Sequence, residues 1–85
     1  MSICPKHIVY VLRGVAEPSR HYVGLTSDVE QRVAQHNSNN SGHTLNHRPW
    51  SLVVSIEFAD PRVADRFERY LKTGSGRAFA IRHFG

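Results

Sequence analysis

Apolar positions gather in six separate stretches, and the spacing and flanking residues of each predict its element. From His7 to Leu12, Ile8, Val9, Val11 and Leu12 leave both faces of an extended segment apolar, as a central strand requires. Arg13 to Arg20, with Gly14, Pro18 and Ser19, reads as a loop. His21 to Leu25 reads as a second short strand, so the two form a hairpin with a longish connection. Ser27-Asp28-Val29-Glu30 fits a capping box, with the Ser27 hydroxyl serving the Glu30 amide, and opens a helix from Asp28 to about His36. The polar run from Asn37 to Pro49 is a long loop, a length that points to function or to loose order. Ser51 to Phe58 alternates, placing Leu52, Val54, Ile56 and Phe58 on one face of a third strand. Asp60-Pro61 supplies an N-cap and a first-turn proline. The stripe Val63, Ala64, Phe67, Tyr70 and Leu71 then marks a helix ending near Lys72. Thr73 to Gly76 stops it and starts a last helix, Arg77 to Phe84. The order β-β-α-β-α-α predicts an α+β fold, a three-stranded antiparallel sheet flanked by helices.

Length narrows this to one domain over residues 1–85, with a thin core in which polar residues on apolar faces stand out. The formal charge is +4, and nine of the eleven cations are arginines, whose planar fork matches phosphate. This balance favours an anionic partner. Cys4 is the single cysteine, so no internal disulfide forms, which fits a reducing compartment. No apolar run approaches the roughly 20 residues that span a bilayer. The Met1 to Lys6 stretch lacks the apolar segment of a secretory signal. A cytoplasmic location with no membrane contact is expected.

Four features exceed what packing requires. Tyr10 and Tyr22 share the same parity in neighbouring strands, either as core aromatics or as part of a site. On the first helix Val29, Val33 and His36 form one narrow stripe, with Arg32 at its edge one turn before His36. Arg32 could snorkel and His36 sit at a boundary, or both could point at a substrate. Glu68 borders the apolar stripe of the second helix and makes a favourable i,i+4 pair with Lys72. The turn Gly74-Ser75-Gly76 opens a helix, which serves either as an anion site or as plain capping, Gly74 as C-cap and Ser75 as N-cap. His43 and His47, with Cys4 and His7, lack the spacing of a structural zinc site.

Ile8-Val9-Tyr10, Tyr22-Val23-Gly24, Arg32, His36 and Glu68, in this order over nearly the whole chain, resemble the GIY-YIG nuclease superfamily, and the tail "FERYLKTGSGRAFA" resembles its small stand-alone bacterial members. The resemblance implies that Tyr10 and Tyr22 are active-site phenols lying side by side at the edge of the sheet. It implies further that Arg32 faces the scissile phosphate, that His36 sits near the nucleophile, and that Glu68 is the single acidic ligand of Mg2+ or Mn2+. The implied activity is divalent-metal-dependent endonucleolytic hydrolysis of DNA, structure-selective and in repair or recombination, with specificity helped by a partner protein. The alternative is a nucleic-acid-binding module of the same fold that cleaves weakly or not at all. Tyr22 is the expected general base and Tyr10 its neighbour. Arg48, Arg69, Lys72 and Ser75 are the expected contacts to nucleic-acid phosphates. The first motif lacks its eponymous glycine, and Leu25 follows the second where excision-repair relatives carry lysine.

Overall fold

The computed structural model describes residues 6–38 and 49–84. Cys4, His43, His47, Arg48 and most of the expected long loop lie outside the described residues. The chain runs β1 (His7–Gly14), β2 (His21–Thr26), α1 (Val29–Asn37), β3 (Trp50–Phe58), α2 (Pro61–Leu71) and α3 (Gly74–Phe84). The three strands form one antiparallel sheet in the order β2-β1-β3. The doubly apolar β1 is therefore central. It extends two residues beyond Leu12 because Arg13 pairs with His21 and Gly14 with Trp50.

Alternation along β1 sorts the core into two layers. Tyr10 and Leu12 point to one face and pack with Trp50, Tyr22, Val29 and Val33, beneath α1. Val9 and Val11 point to the other and meet Ala64, Leu71, Phe67 and Phe79, from α2 and α3. Leu71 is almost wholly buried, so truncating it to alanine should cost about 2–5 kcal/mol.

The third strand departs from simple alternation. Val11 pairs with Val54 but Leu12 pairs with Leu52, which leaves Val53 as an extra residue in a register shift. Val54, Ile56 and Phe58 share the α2 side, whereas Leu52 and Trp50 switch to the α1 side. The expected four-residue stripe is thus broken between Leu52 and Val54.

Two helix starts also differ from expectation. Asp28, not Ser27, caps α1: its Oδ1 accepts from the Gln31 amide at 3.1 Å, while its own amide donates to Thr26 Oγ1 at 3.1 Å. A carboxylate at this end also meets the positive pole of the helix dipole. For α3, Thr73 takes the role expected of Ser75, its Oγ1 accepting from the Gly76 amide at 3.1 Å. The helix accordingly begins at Gly74 rather than Arg77. Gly76 is buried where any Cβ would collide with the Tyr70 carbonyl, so close backbone approach explains this glycine. Asp60 caps α2 through the Arg62 amide at 2.9 Å, with Pro61 in the first turn, as expected.

Candidate active site

The Tyr-x-Gly pattern of β2 builds the first wall of the site. Tyr22 and Gly24 face the same side of the sheet, and Gly24 stands directly opposite Tyr10. A Cβ at Gly24 would run into the Tyr10 phenol. The missing side chain leaves the space that the Tyr10 ring occupies. Tyr10 and Tyr22 then lie as diagonal neighbours, ring centroids 6.2 Å apart. Tyr10 belongs to the central strand and is 0% exposed, so only Tyr22 stands on an edge strand, in contrast to the expected pair at the sheet edge.

His36 closes the site from above. The stripe that carries Val29 and Val33 onto the sheet brings the histidine to 3% exposure. Its Nε2 lies 2.8 Å from the Tyr10 hydroxyl, and its ring centroid is 4.5 Å from that of Tyr22. One turn earlier, the Arg32 guanidinium donates to Gln35 Oε1 at 2.9 Å and lies near enough to Tyr10 to favour its ionised form. Burial pushes the Tyr10 pKa above its ordinary value, against the opposing pull of Arg32; the neighbouring Tyr22 and Glu68 push the same way as burial. Tyr10 is therefore held as a neutral phenol.

Glu68 reaches the same region from α2, close enough for its charge to be felt at Tyr10. Its side chain is 16% exposed and is held by Lys72 Nζ at 2.7 Å, the i,i+4 pair expected from spacing. Tyr10, Tyr22, Arg32, His36 and Glu68 are thus brought together from four elements. Arg69 is exposed on α2 and pairs with Asp65 at 3.2 Å, while Ser75 is exposed in the first turn of α3.

Asn37 and Trp50 were not singled out from the sequence. The Asn37 side chain donates from Nδ2 to the Trp50 carbonyl at 3.1 Å and accepts the Trp50 amide at 2.5 Å. The Trp50 ring in turn stands edge-on to Tyr22, centroids 6.4 Å apart. A side-chain to backbone pair across thirteen residues leaves no periodic signal; the one hint was an amide side chain directly after His36.

The family profile for the GIY-YIG catalytic domain matches residues 6–80. The chain is 33% identical over 82 residues to the structure-specific endonuclease subunit SLX1 of Candida dubliniensis, covering 88% of this chain and 27% of that protein. It is 30% identical over 82 residues to SLX1 of Malassezia globosa, covering 91% and 18%. The chain therefore spans well under half the length of these SLX1 relatives. With UPF0213 protein SH2523 of Staphylococcus haemolyticus it shares 35% identity over 71 residues, covering 82% of this chain and 84% of the relative. With the profile spanning nearly its whole length, and with both tyrosines, the arginine and the histidine gathered beneath α1 and the glutamate near enough to act on Tyr10, the chain belongs to the GIY-YIG family.

Proposed function

We propose that this chain is an endonuclease domain that hydrolyses phosphodiester bonds in DNA with the help of a divalent metal. The observation that carries the reading is the buried Tyr10–His36 hydrogen bond, with Arg32 near the same phenol, set beside Tyr22 and within the field of one carboxylate. A packing core needs none of that polar order in so thin a layer. Related SLX1 proteins are named as structure-specific endonuclease subunits. That name suggests branched or junction-containing DNA in repair or recombination, and a protein partner, for this chain as well.

Among the described residues no group of three or more His, Cys, Asp or Glu could hold a metal. The half-buried Glu68 offers one hard oxygen ligand, and Mg2+ or Mn2+ suits it, because such ions keep several waters and take the remaining ligands from substrate phosphate. Bound there, the ion would neutralise charge on the phosphate oxygens. Everything else falls to the side chains. Water attacks phosphorus, the bond to the 3′ oxygen breaks and that oxygen takes up a proton from solvent, and the water proton passes to Tyr22 on the edge strand as Tyr22 hands on its own phenolic proton. His36, in ring contact with Tyr22, orients and relays that proton. Arg32 stabilises charge that grows on the phosphate. Lys72, once released from Glu68, moves to a phosphate oxygen. Arg69 and Ser75 contact the flanking backbone, and Arg48 is assigned the same role. Among the described residues no helix is long and apolar enough to cross a membrane; we read the chain as acting in the cytoplasm.

The second reading, a binding module that does not cut, draws on the 2.7 Å ion pair that occupies Glu68. One experiment separates the two. Purified protein is incubated with labelled duplex, single-stranded and branched DNA in Mg2+, Mn2+ or EDTA, beside Glu68→Gln. Cleavage in metal, absent in EDTA and in Glu68→Gln with binding retained, supports the nuclease. Binding of all forms without a cut in either metal supports the module.

A further inference from the structure

The sheet face opposite the Tyr10 hydroxyl carries a groove that the proposed hydrolysis does not use. The end of α3 is tied to β1, where Arg13 Nη2 donates to the Phe84 carbonyl at 3.3 Å. Between α3 and the β2 side of the sheet a space of about 620 Å³ remains open, within the roughly 300–1,000 Å³ range of ligand sites. Val11, Val23 and Val53 form its floor. Along α3, Arg77, Ala80, Ile81 and Phe84 follow the i, i+3, i+4, i+7 spacing of one helical stripe, and all four line the groove. A different stripe of α3 is already covered, with Phe79 in ring contact with Phe67 and Tyr70. The helix therefore presents a second apolar side, on which Ile81 is 64% exposed.

The charged groups of the rim are all cationic. Arg20, Lys72 and Arg77 line it beside His21 and Ser19, and no carboxylate does among the described residues. Arg20 shares a loose 3.4 Å contact with Glu17, both side chains more than half exposed. We infer that this groove takes an unpaired nucleotide adjacent to the scissile phosphate, its base against the apolar floor and its phosphates on the cationic rim. The inference rests on the nuclease reading. Lys72 connects groove and site, because it lines the one and holds Glu68 of the other. Tyr22 also lines the groove, from the edge strand, with its ring on the His36 side of the sheet, so a strand leaving the site would reach the groove around the β2 edge. A base stacked within a duplex cannot turn its face to an apolar floor, so the nucleotide held here must be unpaired. An acid-free rim matches a polyanion. An acidic protein helix would also match the rim, but the link through Lys72 to Glu68 favours the substrate strand.

The test is fluorescence anisotropy in EDTA with a labelled single-stranded oligonucleotide, the same strand with abasic positions, and a blunt duplex. The parent should bind the base-bearing strand about tenfold tighter than the abasic one, the scale of one base stacked on a protein surface. Ile81→Glu, at an exposed wall position, should erase that preference and leave duplex binding unchanged; Arg77→Gln should weaken the single strand most. Equal binding of the base-bearing and abasic strands would overturn the proposal, as would an undiminished preference in a folded Ile81→Glu protein. If sedimentation shows that Ile81→Glu splits an oligomer while strand binding is untouched, the groove belongs to a second copy and the proposal fails. The nuclease reading fails separately, by absence of metal-dependent cleavage on every DNA form.

Discussion

The side-chain amide of Asn37 pairs with both backbone groups of Trp50, as a neighbouring strand would, and so fastens the end of α1 to the start of β3. His36, the residue before it, is held over Tyr10 by the same fastening. Removing the amide leaves the Trp50 amide and carbonyl without this partner in a half-buried position. Asn37→Ala should therefore cost about 1–3 kcal/mol, read as a shift of the urea midpoint at constant m-value. Asn37→Asp, which keeps only the acceptor, should fall between. An unchanged midpoint in Asn37→Ala would show that the pair adds nothing to stability.

Gly24→Ala places a methyl group inside the Tyr10 phenol. The ring cannot swing aside freely, because its hydroxyl is fastened to His36. Overpacking of this kind costs about 1–3 kcal/mol, and cleavage should fall with it. Adding Tyr10→Phe, which removes the hydroxyl atom that the new methyl meets, should recover part of the lost stability in a double-mutant cycle.

The two tyrosines should part company when each is replaced by phenylalanine. Tyr22→Phe should lower cleavage by roughly 100-fold, the scale of a lost general base, with stability within about 1 kcal/mol of the parent. A fully active Tyr22→Phe protein would end its assignment as base. Tyr10→Phe breaks a buried hydrogen bond and should lose stability as well, by about 1–3 kcal/mol.

Alkaline titration offers an independent check on Tyr10. Its pKa is raised in the folded state, mainly by burial. The unfolded phenol, near pKa 10, gives up its proton first, so the unfolded chain binds fewer protons at high pH. Stability should hold up to about pH 10 and decline as pH rises through the raised folded value. In Tyr10→Phe that share of the decline should vanish. Denaturant midpoints measured across the alkaline range decide it, and parallel curves for parent and variant would remove Tyr10 as the cause.

Arg32 and Arg69 should differ in kind. Arg32→Ala should depress the rate of cleavage more than affinity, because its partner charge grows in the transition state. Arg69→Ala, at an exposed ion pair, should weaken binding to all sequences and reduce the salt slope by about one unit. Single-turnover rates beside salt titrations separate the two, and identical behaviour would make Arg32 a docking residue.

The elements were legible because their signals are local. Doubly apolar β1 and the Asp60-Pro61 start of α2 each follow from a few neighbouring residues, and so does the Val29, Val33, His36 stripe. The gathering of the candidate site was legible through parity and helical spacing, helped by a family pattern. What stayed hidden depends on contacts between distant segments. That Tyr10 would be fully buried depends on α1 bringing His36 down over its hydroxyl. The choice of Asp28 over Ser27, and of Thr73 over Ser75, turned on which hydroxyl or carboxylate the backbone path presents to the amides. The Asn37–Trp50 fastening joins residues thirteen apart with no shared periodicity.

The extra residue in β3 sets a rule for how this chain tolerates length changes. Val53 is where the strand exchanges sides, so Trp50 reaches the tyrosines only because the count from Val54 backward contains one surplus position. Deleting that residue would leave a regular strand with ordinary hydrogen bonding, yet it would rotate Trp50 and Leu52 to the opposite side. Tyr22 would lose its edge-on neighbour, and the groove floor would gain an indole. A one-residue deletion here is thus a more drastic edit than most substitutions, and lineages of this chain should vary in composition at Val53 far more readily than in the number of residues between Trp50 and Val54.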